Sequence, residues 1–88
     1  MKELKETIPM MASEDYKERF KAEYWQAKIR MDKLNELIFK IETDQLGFKP
    51  KCPFATLKIQ WAVMKQYVDI LKKRAAIEGV ELDEQVHD

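Results

Sequence analysis

Tyr16, Arg19, Glu23 and Arg30 fall along one stretch of the chain, and Gln60 and Arg74 along a second. A guanidinium presents a rigid fork of donors that matches phosphate or carboxylate, and a tyrosine ring offers a flat face for stacking. An aromatic face beside fixed cations is the minimum equipment for holding a nucleotide, with the base stacked and the phosphate clamped. The same residues admit a plainer role, in which Arg19 and Arg30 pair with Glu23, Asp32 or the carboxylates of a second copy. Both readings stay open at the level of sequence.

Covalent and metal chemistry find no comparable set. The one cysteine, Cys52, and the one histidine, His87, are far apart in the chain. A structural zinc takes about four ligands of these types, which argues against a metal site. Ser13 is better placed to cap a helix than to act as a nucleophile, and two glycines do not make a phosphate-cradling loop. The carboxylates fall on helix faces, where lysine partners account for them. These patterns predict a binding protein, not an enzyme, with no cofactor and no metal.

The partners are bounded by charge. Sixteen basic and sixteen acidic residues cancel, which argues against a protein that coats a nucleic-acid polymer. No run approaches the roughly 20 apolar residues needed to cross a bilayer, and MKELKETIPMM has no apolar signal region. A lone cysteine leaves no intramolecular disulfide, so a cytoplasmic location is expected. At 88 residues the chain has room for one domain, here a single helical domain over 1–88.

The elements that must position the candidate residues are two long helices. Apolar residues at Tyr24, Ala27, Met31, Leu34, Ile38 and Ile41 alternate steps of three and four, as do Leu57, Trp61, Met64, Val68, Leu71 and Ala75. That spacing keeps a stripe on one side of a helix against a partner. An all-α fold follows: a long antiparallel hairpin of helices over about 14–43 and 53–78. Ser13 is the expected N-cap, with Glu14 and Asp15 favourable at the positive end. The first helix would run about 45 Å at 1.5 Å per residue. Gly47, able to take positive φ, and Pro50 mark the stop, with Leu46 and Phe48 folding back to plug the hairpin. Pro53 suits the first helical position, Gly79 the left-handed residue after the last, and Val80 the apolar partner beyond it. Residues 1–12 read as a loose arm or short helix disrupted at Pro9, and 79–88 as a flexible tail.

The second helix has a further apolar row: Ile59, Val63, Tyr67, Ile70 and Ile77. The first adds Trp25, Ile29 and Phe39 off its seam. A two-helix hairpin covers one stripe per helix, and the remainder would form a larger apolar patch than monomers usually expose. A homo-oligomer is expected, with Trp25 at a subunit interface. The alternative is that residues 1–12 fold back over part of this surface. Trp61 lies on the seam and is assigned to the core.

The residues at these spacings resemble a known group. Tyr16, Arg19, Glu23, Arg30, Lys33-Leu34 and Ile38, followed by Leu57, Gln60, Met64, Tyr67, Leu71 and Arg74, are similar to the pattern of small helical phage proteins related to those of crAss-like gut phages. That group in turn resembles the phage anti-CBASS sponges, compact helical oligomers that bind cyclic di- and trinucleotide signals of bacterial immunity without cleaving them. The resemblance spans about residues 13–78. It implies an immune-evasion protein of the host bacterial cytoplasm. Tyr16 would stack on a base, Arg30 or Lys33 would contact phosphate with Arg19 in support, and Arg74 would serve a second site.

Tyr16 and Arg30 are 14 positions apart, about 21 Å along one helix, so a shared ligand would have to lie between subunits. A helical adaptor of phage origin that binds a host protein, with no small-molecule ligand, is the alternative function. Small helical mutases of the chorismate type share the length and an Arg-Asp-Leu run like Arg30, Asp32 and Leu34, but the later charges do not supply the inward cations that such sites need.

Overall fold

The computed structural model describes residues 3–82. Among them the regular elements are all helical: a 3-10 turn Leu4–Glu6, α1 Thr7–Met11, α2 Tyr16–Glu42 and α3 Phe54–Glu78. α2 and α3 form the antiparallel hairpin that the paired seams predict. Three cross-helix pairs give its register. Tyr16 bonds to Glu78 and Glu23 to Tyr67, while Lys58 Nζ lies 3.7 Å from Glu42. Every seam residue is buried or half-buried.

The burial is uneven along the hairpin. Phe20, Tyr24, Trp25, Ile29, Met31, Val68, Leu71, Ala75 and Val80 make one core near the open end. Ile38 and Leu57 are buried separately toward the loop. The open end is thicker because α1 packs there as a third layer on α2. Thr7, 1% exposed, explains how. Its hydroxyl donates to the Leu4 carbonyl at 2.7 Å and accepts from Gln26 Nε2 at 3.0 Å, so a buried polar group is satisfied on both sides. Pro9 does not break this segment. It falls in the first turn of α1, where its missing N–H has no helical partner to lose.

The helix ends differ from expectation in detail. The N-cap of α2 is Asp15, whose carboxylate accepts the Lys17 N–H at 2.9 Å. Ser13 instead accepts the Asp15 N–H, closing the bend before the helix. At the other end the left-handed residue is Asp44, φ 58°, and not Gly47. A short polar side chain tolerates that conformation, and the Gln45 N–H then reaches the Lys40 carbonyl at 2.8 Å. Leu46 is half-buried, but Phe48 is exposed and does not plug the loop. Pro53 sits one place earlier than expected, at the N-cap of α3. Gly79 does take the left-handed conformation, φ 73°, and the Val80 N–H bonds to the Ala75 carbonyl at 2.9 Å, with Val80 buried beneath.

Trp25 is buried within its own chain. Its indole N–H donates to the Leu82 carbonyl at 2.9 Å, and Ile29 beside it is also buried. The N-terminal segment packs on the core that holds Ile29, as the fold-back alternative anticipates, while Trp25 is met by Leu82 of the segment read as a flexible tail. Only Phe39 of the off-seam residues of α2 remains exposed. His87 and the acidic tail beyond Leu82 lie outside the described residues.

Candidate functional site

The open end of the hairpin brings residues from both long helices together. Tyr16 is the first residue of α2 and Phe20 stands one turn later on the same side; Arg74 lies one turn before the end of α3, and Glu78 closes it. The antiparallel register places these two ends side by side. Arg74 Nε donates to Glu78 Oε2 at 3.0 Å, and an Arg74 terminal nitrogen donates to the Tyr16 hydroxyl at 3.2 Å. The Tyr16 hydroxyl in turn donates to the other Glu78 oxygen. The Arg74 guanidinium lies 4.8 Å from the centroid of the Phe20 ring, and the Tyr16 ring meets Phe20 edge-on at 6.2 Å. The cation is thus held on three sides by an aromatic face, a hydroxyl and a carboxylate, while the Tyr16 ring stays exposed.

The protonation states follow from these bonds. The hydrogen bond to Glu78 raises the Tyr16 pKa above its ordinary value. Glu78 is lowered, first by the Tyr16 hydroxyl and then by Arg74. At neutral pH the cluster is a neutral phenol, a carboxylate and a guanidinium. About two helical turns inward, Tyr67 of α3 donates to Glu23 of α2 in a second pair of the same kind. Burial, then the Glu23 hydrogen bond, push the Tyr67 hydroxyl up to about 12.

The remaining candidates are elsewhere. Arg19 donates to the Ser13 carbonyl at 2.9 Å and so ties down the turn before α2. Arg30 is exposed and takes no partner among the described residues. The carboxylates proposed for it are engaged by others, since Asp32 binds Lys28 at 2.9 Å and Glu23 binds Tyr67. Lys33 borders a cleft of about 510 Å³ between the N-terminal segment and α2, lined also by Leu4, Ile29 and Glu36. So the structure joins Tyr16 to Arg74 and leaves Arg30 and Lys33 roughly 21–26 Å further along α2. Arg74, which the resemblance gave to a second site, lies in hydrogen-bond contact with Tyr16. Glu78 escaped the sequence reading, Phe20 was not among its site residues, and Glu23 and Tyr67 were named there but not as a pair. The four-residue spacings of Tyr16 with Phe20 and of Arg74 with Glu78 were visible signals, but pairing across the helices needs the register.

Among the described residues no group of three or more His, Cys, Asp or Glu is placed to hold a metal ion. No helix among them is long and apolar enough to cross a membrane.

An exposed aromatic–cation cluster is thus built across the helix ends of the hairpin. The chain belongs to the Sequestin family, whose model matches residues 14–77. The match takes in α2 and all of α3 except its last residue, Glu78, and with them Tyr16, Arg19, Arg30, Lys33 and Arg74. The family's name points to sequestration of a ligand, which suggests a binding protein and not an enzyme. No curated protein and no solved structure matches this chain.

Proposed function

We propose that this protein binds a cyclic di- or trinucleotide and holds it without cleaving it, as a phage-borne sponge that removes an immune signal from the host bacterial cytoplasm. The observation that carries this reading is the Tyr16–Phe20–Arg74 cluster. It offers an exposed ring for a base and a positioned guanidinium for a phosphate, in hydrogen-bond contact across the two helices. The family's name adds sequestration as the outcome.

Arg30 and Lys33 belong to the same reading through a second copy of the chain. Their distance from Tyr16 along α2 puts them out of reach of a ligand on their own copy. The face for that second copy is the outer row of α3. Ile59, Val63, Ile70 and Ile77 are each more than half exposed, and Tyr67 in the same row is less so, at 41%. Ala55, Ala62 and Gln66 beside the row are exposed too. From Ala55 to Ile70 this side of α3 carries no charge, in a chain of which 36% is charged. Depletion of charge with retention of aromatic and aliphatic residues marks the core of an interface, and small residues let helices approach closely.

The decisive experiment is isothermal titration with cyclic di-AMP, 3′,3′-cyclic GMP-AMP and cyclic tri-AMP, with light scattering for mass. Binding to an oligomer, weakened by Tyr16→Ala, Arg74→Ala and Arg30→Ala, is the expected result. The uncharged α3 face also favours a second reading, an adaptor that uses it to bind a host protein. Absence of any binding heat with the three nucleotides, together with a monomeric mass, would select the adaptor.

A further inference from the structure

We infer that Glu78 is a built-in competitor for the ligand's phosphate: its carboxylate holds the Arg74 fork and the Tyr16 hydroxyl until a nucleotide displaces it. The inference rests on the nucleotide-binding reading and assigns a selectivity role at that same site.

Both oxygens of Glu78 are spent on the two groups that a nucleotide would use. One accepts from Arg74 Nε at 3.0 Å and the other from the Tyr16 hydroxyl. A carboxylate and a phosphate present the same kind of acceptor to a guanidinium, so a phosphate that takes the Nε side of the fork must displace Glu78 from it. When Glu78 swings away, Arg74 keeps two restraints, the Phe20 ring at 4.8 Å and the Tyr16 hydroxyl at 3.2 Å. The fork therefore stays aimed after the carboxylate leaves.

Helix stability explains an acid at this position only in part, through its i,i+4 pair with Arg74. Glu78 is the last residue of α3, where carbonyl ends leave partial negative charge and a basic residue is favoured. Its side chain is held by the Tyr16–Arg74 pair alone. That hold is exposed and hence weak, which suits a group that must leave.

The consequence is discrimination. A tethered carboxylate acts at a high effective concentration, so a small anion such as inorganic phosphate must outcompete it with a single contact. A cyclic dinucleotide brings a base for the exposed Tyr16 ring and further phosphate oxygens, and passes the same barrier more easily. Glu78 thus works against the wrong ligand more than against the right one.

The test compares wild type with Glu78→Gln and Glu81→Gln in the full chain. Glu78→Gln keeps the side-chain shape and removes the charge. Glu81→Gln removes the same charge from an exposed residue with no part in the cluster. Titrations use the three cyclic nucleotides named above and inorganic phosphate. Glu78→Gln is expected to bind the cyclic nucleotide roughly two- to fivefold more tightly than Glu81→Gln, the span set by an exposed ion pair. Its gain for inorganic phosphate is expected to be larger, so that the ratio between the two ligands narrows. Without ligand, the Tyr16 ring carbon followed by NMR should show a lower hydroxyl pKa in Glu78→Gln, with unchanged circular dichroism. Wild-type binding with Glu78→Gln equal to or weaker than Glu81→Gln overturns the inference and leaves the sponge reading standing. No nucleotide binding by any of the three proteins overturns both.

Discussion

Tyr24 is fully buried, and its hydroxyl finds no partner among the described residues; the same holds for the indole nitrogen of Trp61. A buried polar atom left unpaired costs on the order of 1–3 kcal/mol, so removing it is cheap or favourable where the shape is kept. Tyr24→Phe is expected to leave urea stability unchanged or raise it by about 1 kcal/mol; a clear loss would mean that the hydroxyl is satisfied in solution. Tyr67 makes the opposite kind of prediction. Its hydroxyl is pushed up to about 12, from an ordinary value of 10.0, by burial and by Glu23. The folded chain holds this proton more tightly than the unfolded chain does. Its contribution to stability is therefore complete below pH 10 and lost as the pH rises toward 12. Wild type should lose more stability across that window than Tyr67→Phe does, in denaturant titrations at stepped pH.

At the scale of the elements, the helix ends and the uneven core decide what substitutions cost. Gly79 at φ 73° would be strained by any side chain, although space around it is open. Gly79→Ala should cost about 1–2 kcal/mol, because the penalty is in the backbone and not in a clash. Asp44 holds the corresponding conformation at the end of α2, so Asp44→Gly should be neutral or stabilising by up to about 1 kcal/mol. Equal losses at both positions in thermal unfolding would contradict this assignment. Within the hairpin, Leu71 is 1% exposed in the thick end, while Leu34 is only half-buried in the thin end. Leu71→Ala should cost about 2–5 kcal/mol and Leu34→Ala clearly less. The seam positions of both were legible from spacing, but the thickness around each was not, since it depends on where α1 and Val80 pack.

For the whole molecule, the outer row of α3 is the surface that the proposed assembly would cover. Val63 is exposed in the single chain. Val63→Glu therefore leaves a lone hairpin folded, but in an assembly it buries an unpaired charge. The expected outcome is a fall in mass by light scattering with helicity retained by circular dichroism, together with loss of nucleotide binding. Tight binding by a dissociated Val63→Glu chain would show that one copy holds the whole site.

The sequence by itself determined two long helices, their antiparallel pairing and the faces they turn inward, because each is a local property: apolar spacing, Pro53 before a helix, Gly79 after one. It also marked Tyr16 and Arg74 as residue types suited to a nucleotide. Only the tertiary structure decided that these two meet, that Glu78 sits between them and that Trp25 is sealed by the chain's own ends. Those pairings join residues about 60 positions apart, and they depend on the register of two helices and the path of two terminal segments. Spacing along one helix carries no record of either, since a shift of one turn between α2 and α3 would preserve both apolar stripes while separating Tyr16 from Arg74.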